Sequence, residues 1–380
     1  MRDEVRLILC GGGTGGHIYP ALAIADGIKR RWPGVDVRYI GAKGGMESRI
    51  VPEAGYPFWG IPAEGWQGRK IRTLAHALKA DLRGSREATA LLAAFRPRAV
   101  IGTGGFVCLP VGLAAVQKGI PVYLHEQNAL PGMTNKLVSL WAEEVMVGFA
   151  EAAGRFPPLS RKKVTVTGLP VRGAIAGADK GEAYAYFQLS ERKKTVLAVG
   201  GSQGALQINR AMLHVVRQLY RREDVQVLFA TGRRDYPQMT EELEAAAIPW
   251  EISAGEESNI RMLPYIDRMD LAYALSPIYV GRAGASTLAE VTLSRLPAIL
   301  IPLPFASENH QAYNAASLAD KGGAVVLEDQ KLTGQVLLAA LQELLADGPR
   351  RRAMAECSYN ASYSRALDDI LDILEGIMIK

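Results

Sequence analysis

The sequence predicts an α/β protein in which two Rossmann-like, doubly wound domains face a central cleft. Three observations lead to this prediction. The chain has 380 residues, enough for two domains of ordinary size. Short apolar runs alternate with stretches of helical periodicity, as in consecutive βαβ units. Glycine-rich loops recur where a predicted strand passes into a predicted helix, at the edge where open α/β sheets bind ligands.

The first half of the chain contains short runs that are apolar on both faces, as buried parallel strands are. These runs lie at residues 5–10, 35–40, 99–101, 122–124 and 145–147. Apolar residues at helical spacing mark residues 19–31 and 74–95 between them. Together the elements predict an N-terminal domain over residues 1–168.

The pattern breaks at Gly168-Leu169-Pro170-Val171-Arg172, between a predicted strand at 164–167 and a loop of small residues at 173–181. We expect the interdomain linker at this break. The alternation then resumes, with strands predicted at 195–199, 225–230, 250–252, 278–280 and 298–301. They predict a C-terminal domain over residues 173–357, followed by a last helix at about 358–380.

Composition restricts the classes of function. The net charge is +5 and the pI is near 9.0, which fits an anionic partner without choosing among phosphate, an acidic membrane surface and nucleic acid. Three cysteines without paired spacing argue against a disulfide framework and a zinc site, and for a reducing, cytosolic environment. No segment approaches the roughly 18–20 apolar residues of a membrane-spanning helix.

The first glycine-rich loop leads from the first strand into a helix and ends at His17. Glycines permit a tight turn with exposed amides, and a helix N-terminus attracts anions. Three of its glycines also match the dinucleotide fingerprint, which requires an acidic residue at the end of the second strand. That strand runs into Ile40-Gly41-Ala42-Lys43 without a carboxylate, which disfavours an NAD site.

Three further loops, at residues 102–106, 200–205 and 281–290, have the same strand–glycine–helix form. One such loop alone can be a simple tight turn. Four loops that face one predicted cleft indicate ligand binding instead. Two loops in each domain predict two phosphate-bearing ligands, one for each domain.

Several polar residues stand beside these loops, and each has a structural and a functional interpretation. His17 is either a helix-start histidine bonded to backbone or a general base kept neutral by the helix dipole. The group at residues 125–128 is either a solvated turn or part of a site at a strand end. Glu290 is either an exposed helical residue or a carboxylate that binds ribose hydroxyls.

A basic stretch at residues 69–98 holds eight lysines and arginines against two acidic residues. Ile71, Leu74 and Leu78 recur among them at helical spacing. The stretch is either an ordinary amphipathic helix packed on its domain or a basic-apolar patch that docks on anionic lipid.

Six ordered motifs together carry a family resemblance. They are Gly-Gly-Gly-Thr-Gly-Gly-His at 11–17, Thr-Gly-Gly-Phe at 103–106, His-Glu-Gln-Asn at 125–128, Gly-Leu-Pro-Val-Arg at 168–172, Gly-Gly-Ser-Gln-Gly at 200–204 and Gly-Arg-Ala-Gly-Ala-Ser-Thr-Leu-Ala-Glu at 281–290. They extend over nearly the whole chain, which therefore resembles the family 28 glycosyltransferases of bacterial peptidoglycan synthesis. The resemblance implies the GT-B fold, with the C-terminal helix crossing back to the N-terminal domain.

The resemblance also implies an activity. This is transfer of GlcNAc from UDP-GlcNAc, with inversion, to the 4-hydroxyl of MurNAc in lipid I, the undecaprenyl-diphosphate-linked MurNAc-pentapeptide, to give lipid II. No metal or cofactor is required. The implied location is peripheral, on the anionic cytoplasmic side of the inner membrane, and no nucleic acid is involved.

By position, the resemblance places the donor site mainly in the second domain. Arg172 and Ser202 match donor-binding positions, and Ile266 matches a backbone contact to uracil. The diphosphate and ribose loop corresponds to Ala285, Ser286, Thr287, Leu288, Ala289 and Glu290. Gln311, with His310 as its alternative, resembles the residue that reads the sugar. The first-domain positions near the transferred GlcNAc are Thr14, Gly15, Gly16 and Asn128.

The expected mechanism is direct displacement, with His17 as the base and Glu126 in reserve. The helix N-terminus after Ser286 and the nearby Arg282 would stabilise the departing UDP. Rival interpretations are a diacylglycerol glycosyltransferase, a UDP-GlcNAc epimerase of the same fold, and a non-catalytic protein that binds nucleotide or nucleic acid. The basic residues cluster with aliphatic rather than aromatic side chains, which disfavours nucleic acid.

Overall fold

The structure is a computed structural model that describes residues 5–65, 71–171, 175–201, 204–250, 258–304 and 309–379, without the side chains of 71–79 and 176. The chain divides into two compact units. The first comprises Met1–Val171 with Tyr363–Lys380, and the second Arg172–Ser362.

A seven-stranded parallel sheet forms the centre of the first unit. Its strands are β1 (Arg6–Cys10), β2 (Asp36–Ala42), β3 (Phe58–Ile61), β4 (Ala99–Gly102), β5 (Val122–Glu126), β6 (Glu144–Val147) and β7 (Val164–Val166). Their spatial order is β3-β2-β1-β4-β5-β6-β7. The helices are α1 (Gly15–Arg31), α2 (Glu47–Glu53), α3 (Ile71–Phe95), α4 (Cys108–Gln117), α5 (Met133–Val138) and α6 (Ala150–Ala153). The central strands are apolar on both faces, as expected where helices cover both sides of a parallel sheet.

The C-terminal helix, Ala366–Ile379, packs against α1 of this first unit. A side chain on Gly27 would lie only 2.8 Å from Leu367, so the missing side chain permits the close approach. Ile370 and Leu374 are fully buried in the same core as α1. Arg31 pairs with Asp372 at 2.6 Å on the exposed rim.

The second unit repeats the layout with six parallel strands. They are β8 (Lys194–Val199), β9 (Val225–Ala230), β10 (Ile260–Leu263), β11 (Ile278–Gly281), β12 (Ala298–Leu300) and β13 (Ala324–Val326). Their order is β10-β9-β8-β11-β12-β13. The helices are α7 (Lys180–Phe187), α8 (Leu206–Leu219), α9 (Tyr236–Ala245), α10 (Met269–Ala274), α11 (Ala285–Leu293), α12 (His310–Asp320), α13 (Gly334–Ala346) and α14 (Gly348–Asn360).

Each sheet has a point where the strand order reverses, between β1 and β4 in the first unit and between β8 and β11 in the second. Crevices for ligands open at such points, beyond the carboxyl ends of the strands. All four predicted glycine loops follow these four strands. The predicted doubly wound α/β class is thereby confirmed.

The differences from prediction lie at the sheet edges and at the end of the chain. Strands β3, β10 and β13 are edge strands of three or four residues that were not predicted, because they are short and only partly buried. The strand predicted at 250–252 falls largely outside the described residues. The helix predicted at 358–380 is wrong in its start, since α14 ends at Asn360 and a new helix begins at Ala366.

Candidate functional site

The two glycine loops of the first unit meet at the strand-order reversal. The amide of Gly12 donates to the carbonyl of Gly104 at 3.3 Å. The hydroxyl of Thr103 donates to the carbonyl of His17 at 2.8 Å. Gly105 has a φ of +81°, and a Cβ there would lie 2.1 Å from the Gly12 oxygen. Only glycine fits where the two loops cross. The hydrogen bonds between them hold the loops together as one structure.

Glu47 holds the first glycine loop through hydrogen bonds to backbone amides, a role that the sequence did not predict. Its side chain is completely buried and accepts hydrogen bonds from the amides of Gly13, at 3.2 Å, and Ala42, at 2.9 Å. The chain's own carboxylate thus occupies part of the expected anion cradle, which corrects the interpretation of the whole loop as a phosphate site. No local pattern marks Glu47, because only the fold brings it under the loop.

The first turn of α1 keeps its amides open. Within the described part of the chain, the N–H groups of Thr14, Gly15 and Gly16 have no acceptor. Thr14 and Gly16 are exposed. These predicted site residues therefore present donors to a ligand at a helix N-terminus.

His17 stands at the end of this loop and is half-buried. Its Nδ1 lies 3.0 Å from the carbonyl oxygen of Thr103 and 2.9 Å from Oε1 of Gln127. Two oxygen acceptors at one nitrogen require that nitrogen to carry the proton. In the neutral ring, Nε2 is then the proton acceptor, as the predicted general base needs.

Glu126 requires a correction, because the structure gives it a different task from that of a reserve base. The side chain is 1% exposed. Its Oε1 accepts from the amide and side chain of Asn128, and its Oε2 accepts from the Gly132 amide and the Asn135 side chain, at 2.8–3.2 Å. A carboxylate with four donors has little capacity left for a substrate proton. It instead holds the loop that presents Asn128.

In the second unit, the glycine loop after β11 was predicted to bind the diphosphate and ribose of the sugar donor, and it leads into α11. Its N-cap is Gly284, and the amides of Ala285, Ser286 and Thr287 have no acceptor among the residues that the structure describes. Open amides and the helix dipole together favour a diphosphate here. Leu288 needs correcting as a contact, since its side chain is 2% exposed and its amide already donates to Gly284. Ala289 is in the second turn of α11, after these first-turn donors.

Glu290 lies one turn further along α11, on the same face as Ser286. Its Oε2 accepts a hydrogen bond from the hydroxyl of Tyr273 at 3.0 Å. Burial, reinforced by the negative charge of Glu290, raises the pKa of Tyr273 well above its ordinary value, so the phenol stays protonated and remains a donor. The sequence did not reveal Tyr273, which comes from α10.

Gln311 and Ile266, two more residues predicted to bind the sugar donor, each have hydrogen-bonding groups without a partner among the described residues. Oε1 of Gln311 accepts from the Leu303 amide at 2.9 Å, which directs its NH₂ group elsewhere as a donor for a hydroxyl. Ile266 has a buried side chain, 4% exposed. Its backbone N–H and C=O have no partner within the described ranges and suit a backbone contact to a base.

Arg282 does not behave as a free cation beside the donor loop, which corrects its expected role. Its guanidinium donates to the carbonyls of Ile301 and Pro302 at 3.1 and 3.3 Å and pairs with Asp329. Both charged side chains are largely buried, 17% and 14% exposed. Arg282 therefore ties β11 to the loop after β12.

The remaining predicted residues lie outside the described residues. These are Arg172 and Ser202, together with the side chains of Ile71, Leu74 and Leu78. In the described ranges no three His, Cys, Asp or Glu side chains are grouped to bind a metal ion. No described helix is both long and apolar enough to cross a membrane.

Comparison with known proteins places both units in one family. Residues 7–147 match the glycosyltransferase family 28 N-terminal domain, and residues 195–370 match the glycosyltransferase family 28 C-terminal domain. A relative from Desulforudis audaxviator is 44% identical over 374 residues, covering 98% of both chains. One from Bacillus subtilis is 38% identical over 373 residues, covering 98% of this chain and 99% of its own.

Both relatives are named UDP-N-acetylglucosamine–N-acetylmuramyl-(pentapeptide) pyrophosphoryl-undecaprenol N-acetylglucosamine transferase. Among solved structures, the MurG protein of Acinetobacter baumannii matches with a TM-score of 0.77 and 28% identity. The match covers 98% of this chain and 99% of that one. The similarity therefore extends through both units.

Proposed function

This chain belongs to glycosyltransferase family 28, and on that premise we propose that it transfers GlcNAc from UDP-GlcNAc to lipid I, forming lipid II. The observation that carries the proposal is identity of 38–44% to transferases of this one name, over 93–98% of the chain. The open helix N-termini at the strand-order reversal of both units are the local geometry that such a reaction uses.

The second unit is the proposed donor site. The first-turn amides of α11, at Ala285–Thr287, would bind the UDP diphosphate, where a helix N-terminus attracts negative charge. Glu290 would accept hydrogen bonds from the ribose hydroxyls. The NH₂ group of Gln311 would bind a sugar hydroxyl, and the backbone of Ile266 the uracil. Arg172 and Ser202 complete this proposal by position alone.

The first unit is the proposed acceptor site, and His17 is the proposed base. Nε2 of His17 takes the proton of the 4-hydroxyl of MurNAc while that oxygen attacks the anomeric carbon of GlcNAc. The bond from the anomeric carbon to the UDP oxygen breaks as the new bond forms, which inverts the configuration. UDP leaves with the bonding pair, and the donors of the α11 N-terminus stabilise its charge.

A peripheral position on the cytoplasmic face of the inner membrane is proposed for the same enzyme. The support comes from α3, α4 and α5, which pack side by side. Each of these helices, or the turn that follows, exposes large apolar side chains, namely Leu82, Leu113, Met133, Leu137 and Trp141. Arg83 and Arg86 are exposed on α3 beside Leu82. Apolar side chains next to cations suit an anionic lipid surface.

The decisive test is an assay of the full chain in detergent with radiolabelled UDP-GlcNAc and a lipid I analogue. We expect a product in which the GlcNAc label and the lipid are joined, together with one equivalent of UDP. Lipid I without its MurNAc group, and diacylglycerol, serve as control acceptors. Transfer to diacylglycerol, or conversion of UDP-GlcNAc to UDP-ManNAc without an acceptor, would reject the proposal in favour of a related enzyme.

A further inference from the structure

A chain of hydrogen bonds joins three side chains inside the first unit. Nδ1 of His17 lies 2.9 Å from Oε1 of Gln127. Nε2 of Gln127 lies 3.2 Å from Nδ1 of His125, and Nε2 of His125 lies 2.9 Å from the carbonyl oxygen of Gly168. Gln127 and His125 are 1% and 0% exposed, and the three contacts are direct. An amide or an imidazole can exchange donor for acceptor, so the direction of the chain must come from other groups.

Three backbone carbonyls fix that direction, because a carbonyl oxygen can only accept. Thr103 O lies 3.0 Å from Nδ1 of His17, which must therefore be protonated. His125 O lies 2.9 Å from Nε2 of Gln127, so the NH₂ group points there and Oε1 points to His17. Gly168 O requires a proton on Nε2 of His125, whose Nδ1 then accepts the remaining N–H of Gln127.

His125 can accept from Gln127 only while its ring is neutral. Burial lowers the pKa of His125 from its ordinary value, against smaller opposing effects of the Gly168 carbonyl and Glu126. A protonated ring would turn a second N–H toward the Gln127 NH₂ group, and two donors would then face each other. The buried, neutral ring therefore keeps the glutamine amide in one orientation.

We propose that Gln127 and His125 are positioning residues that hold His17 in the Nδ1–H tautomer, leaving Nε2 as the only ring nitrogen able to take the acceptor proton. The inference rests on the proposed role of His17 as the base. Glutamine suits the task because one flat group accepts on one side and donates on the other. Both side chains are almost fully buried, so we expect them to act through His17.

The direct test is the tautomer of His17, measured by NMR of the full chain labelled with ¹⁵N in histidine. The His17 signals are assigned by their loss in His17→Gln. We expect a protonated Nδ1 and an unprotonated Nε2 in the wild type. In Gln127→Leu one acceptor of Nδ1 is lost, and the Nε2–H form should gain about fivefold relative to Nδ1–H, the effect of one hydrogen bond.

A matched control separates this effect from general loss of a buried amide. Gln226 is also 1% exposed, bonds to Ser190 and Thr195 in the second unit, and is replaced in Gln226→Leu. We expect this variant to lose stability with no change at His17. Gln127→Glu keeps the acceptor for Nδ1 but loses the NH₂ donor to His125, so it should keep the Nδ1–H form at a cost in stability.

Kinetics on lipid I provide the second readout. Gln127→Leu should lower kcat by at most about fivefold, in proportion to the fraction of His17 that leaves the Nδ1–H form, with the KM for both substrates nearly unchanged. Gln127→Glu should recover most of the kcat. An Nε2–H tautomer in the wild type, or the same tautomer ratio in Gln127→Leu, would overturn the inference. Full kcat in His17→Gln would instead reject His17 as the base. The NMR measurement tests only whether Gln127 sets the tautomer of His17, so the two failures can be distinguished.

Discussion

The hydroxyl of Tyr273, on α10, donates a hydrogen bond to Oε2 of Glu290, on α11, at 3.0 Å. Tyr273 is only 3% exposed, so the bond is shielded from water and fixes one oxygen of the carboxylate. A fixed carboxylate one turn from an open helix N-terminus can accept from two adjacent hydroxyls of a nucleotide ribose. Two predictions about the donor follow from this pair.

Removal of the Tyr273 hydroxyl should weaken the binding of UDP-GlcNAc without changing the rate of the transfer step. We expect Tyr273→Phe to raise the KM for UDP-GlcNAc about fivefold, the effect of one hydrogen bond, at nearly constant kcat. Glu290→Ala should raise it by more, about 10–100-fold, because hydrogen bonds to a charged group are stronger. Steady-state kinetics at saturating lipid I measure both effects.

A buried tyrosine nearby offers the control. The ring centre of Tyr279 lies 6.4 Å from that of Tyr273, and Tyr279 is 2% exposed. Tyr279→Phe therefore removes a comparable hydroxyl that does not bond to Glu290. An unchanged donor KM in Tyr273→Phe and Glu290→Ala would remove Glu290 from the donor site.

Replacement of His17 should lower the rate of the reaction, whereas replacement of Glu126 should lower the stability of the fold. His17→Gln is expected to lower kcat by about 10²–10⁴-fold, the usual contribution of a general base, with little change in melting temperature. Glu126→Gln should lower the melting temperature, because an amide NH₂ group would face two of the four N–H donors that the carboxylate accepts. Calorimetry and kinetics on the same preparations distinguish these results.

The acid limb of the pH–rate profile adds a check on this pair. If Glu126 were the base, the fall in rate at low pH would disappear in Glu126→Gln. If Glu126 is purely structural, the midpoint of that fall should be the same in Glu126→Gln and the wild type. Loss of the limb in Glu126→Gln, with activity kept in His17→Gln, would reverse the two assignments.

The sequence predicted the fold well where the signal is local. Buried central strands such as β1 and β11 are continuous apolar runs, and glycine loops mark their carboxyl ends, so the fold class and the place of the sites follow directly. Edge strand β13 is short and half-exposed, and no periodicity reveals it. The break between α14 and the C-terminal helix likewise interrupts a pattern that reads as one helix.

The site was predicted in part, for the same physical reason. Residues in the first turn of a helix after a glycine loop, such as His17 and Ser286, are recognisable because their glycine neighbours mark them. Glu47 and Tyr273 reach the loops from other elements, so only the tertiary structure shows them. Glu126 was assigned by its position at a strand end, and its four internal N–H donors, from three residues, become visible only in the fold.

His125 should make stability depend on pH below neutrality. Because burial lowers its pKa in the folded chain, the unfolded chain binds a proton at this residue near pH 6.5 that the folded chain does not. Stability should therefore fall as the pH drops below about 6.5, by at most about 1.4 kcal/mol per pH unit for one proton. The hydrogen bond to the Gly168 carbonyl and the negative charge of Glu126 oppose this effect.

The measurement is urea unfolding of the wild type and His125→Asn between pH 7.5 and 5.5. Other groups titrate alike in both proteins, so the difference in slope reports His125 alone. We expect the wild type to lose more stability on acidification than the variant. Parallel curves would show that the folded chain binds the His125 proton as readily as the unfolded chain, which a lowered pKa forbids.

The buried pair of Arg282 and Asp329 should be coupled energetically. Replacing only one partner leaves an unpaired buried charge, so Arg282→Met and Asp329→Leu should each cost about 3 kcal/mol of unfolding free energy. The double variant should cost clearly less than the sum of the two. The exposed pair Arg217–Glu242, whose side chains are 43% and 45% exposed, is the control and should give a coupling of about 0–1 kcal/mol. Additive losses at Arg282 and Asp329 would contradict the structural role assigned to this pair.

The exposed apolar side chains of α3, α4 and α5 should determine binding to lipid. Leu82, Met133 and Leu137 are 65%, 67% and 43% exposed, so their replacement by serine removes little from the core. We expect the triple variant to bind vesicles of phosphatidylglycerol and phosphatidylcholine at least tenfold more weakly, since burying one apolar side chain contributes about 1.5–3 kcal/mol.

The control for this surface is another exposed leucine. Leu159 is 82% exposed and lies outside these helices, so Leu159→Ser removes one exposed apolar side chain from a different place. Vesicle sedimentation at two salt concentrations separates the apolar contribution from attraction by Arg83 and Arg86, because salt screens only the latter. Equal binding by the triple variant and Leu159→Ser would show that these exposed side chains of α3 and α5 do not bind the lipid surface. The serine variants should keep wild-type kcat on a short-chain, water-soluble lipid I analogue, because none of the three side chains belongs to the proposed site.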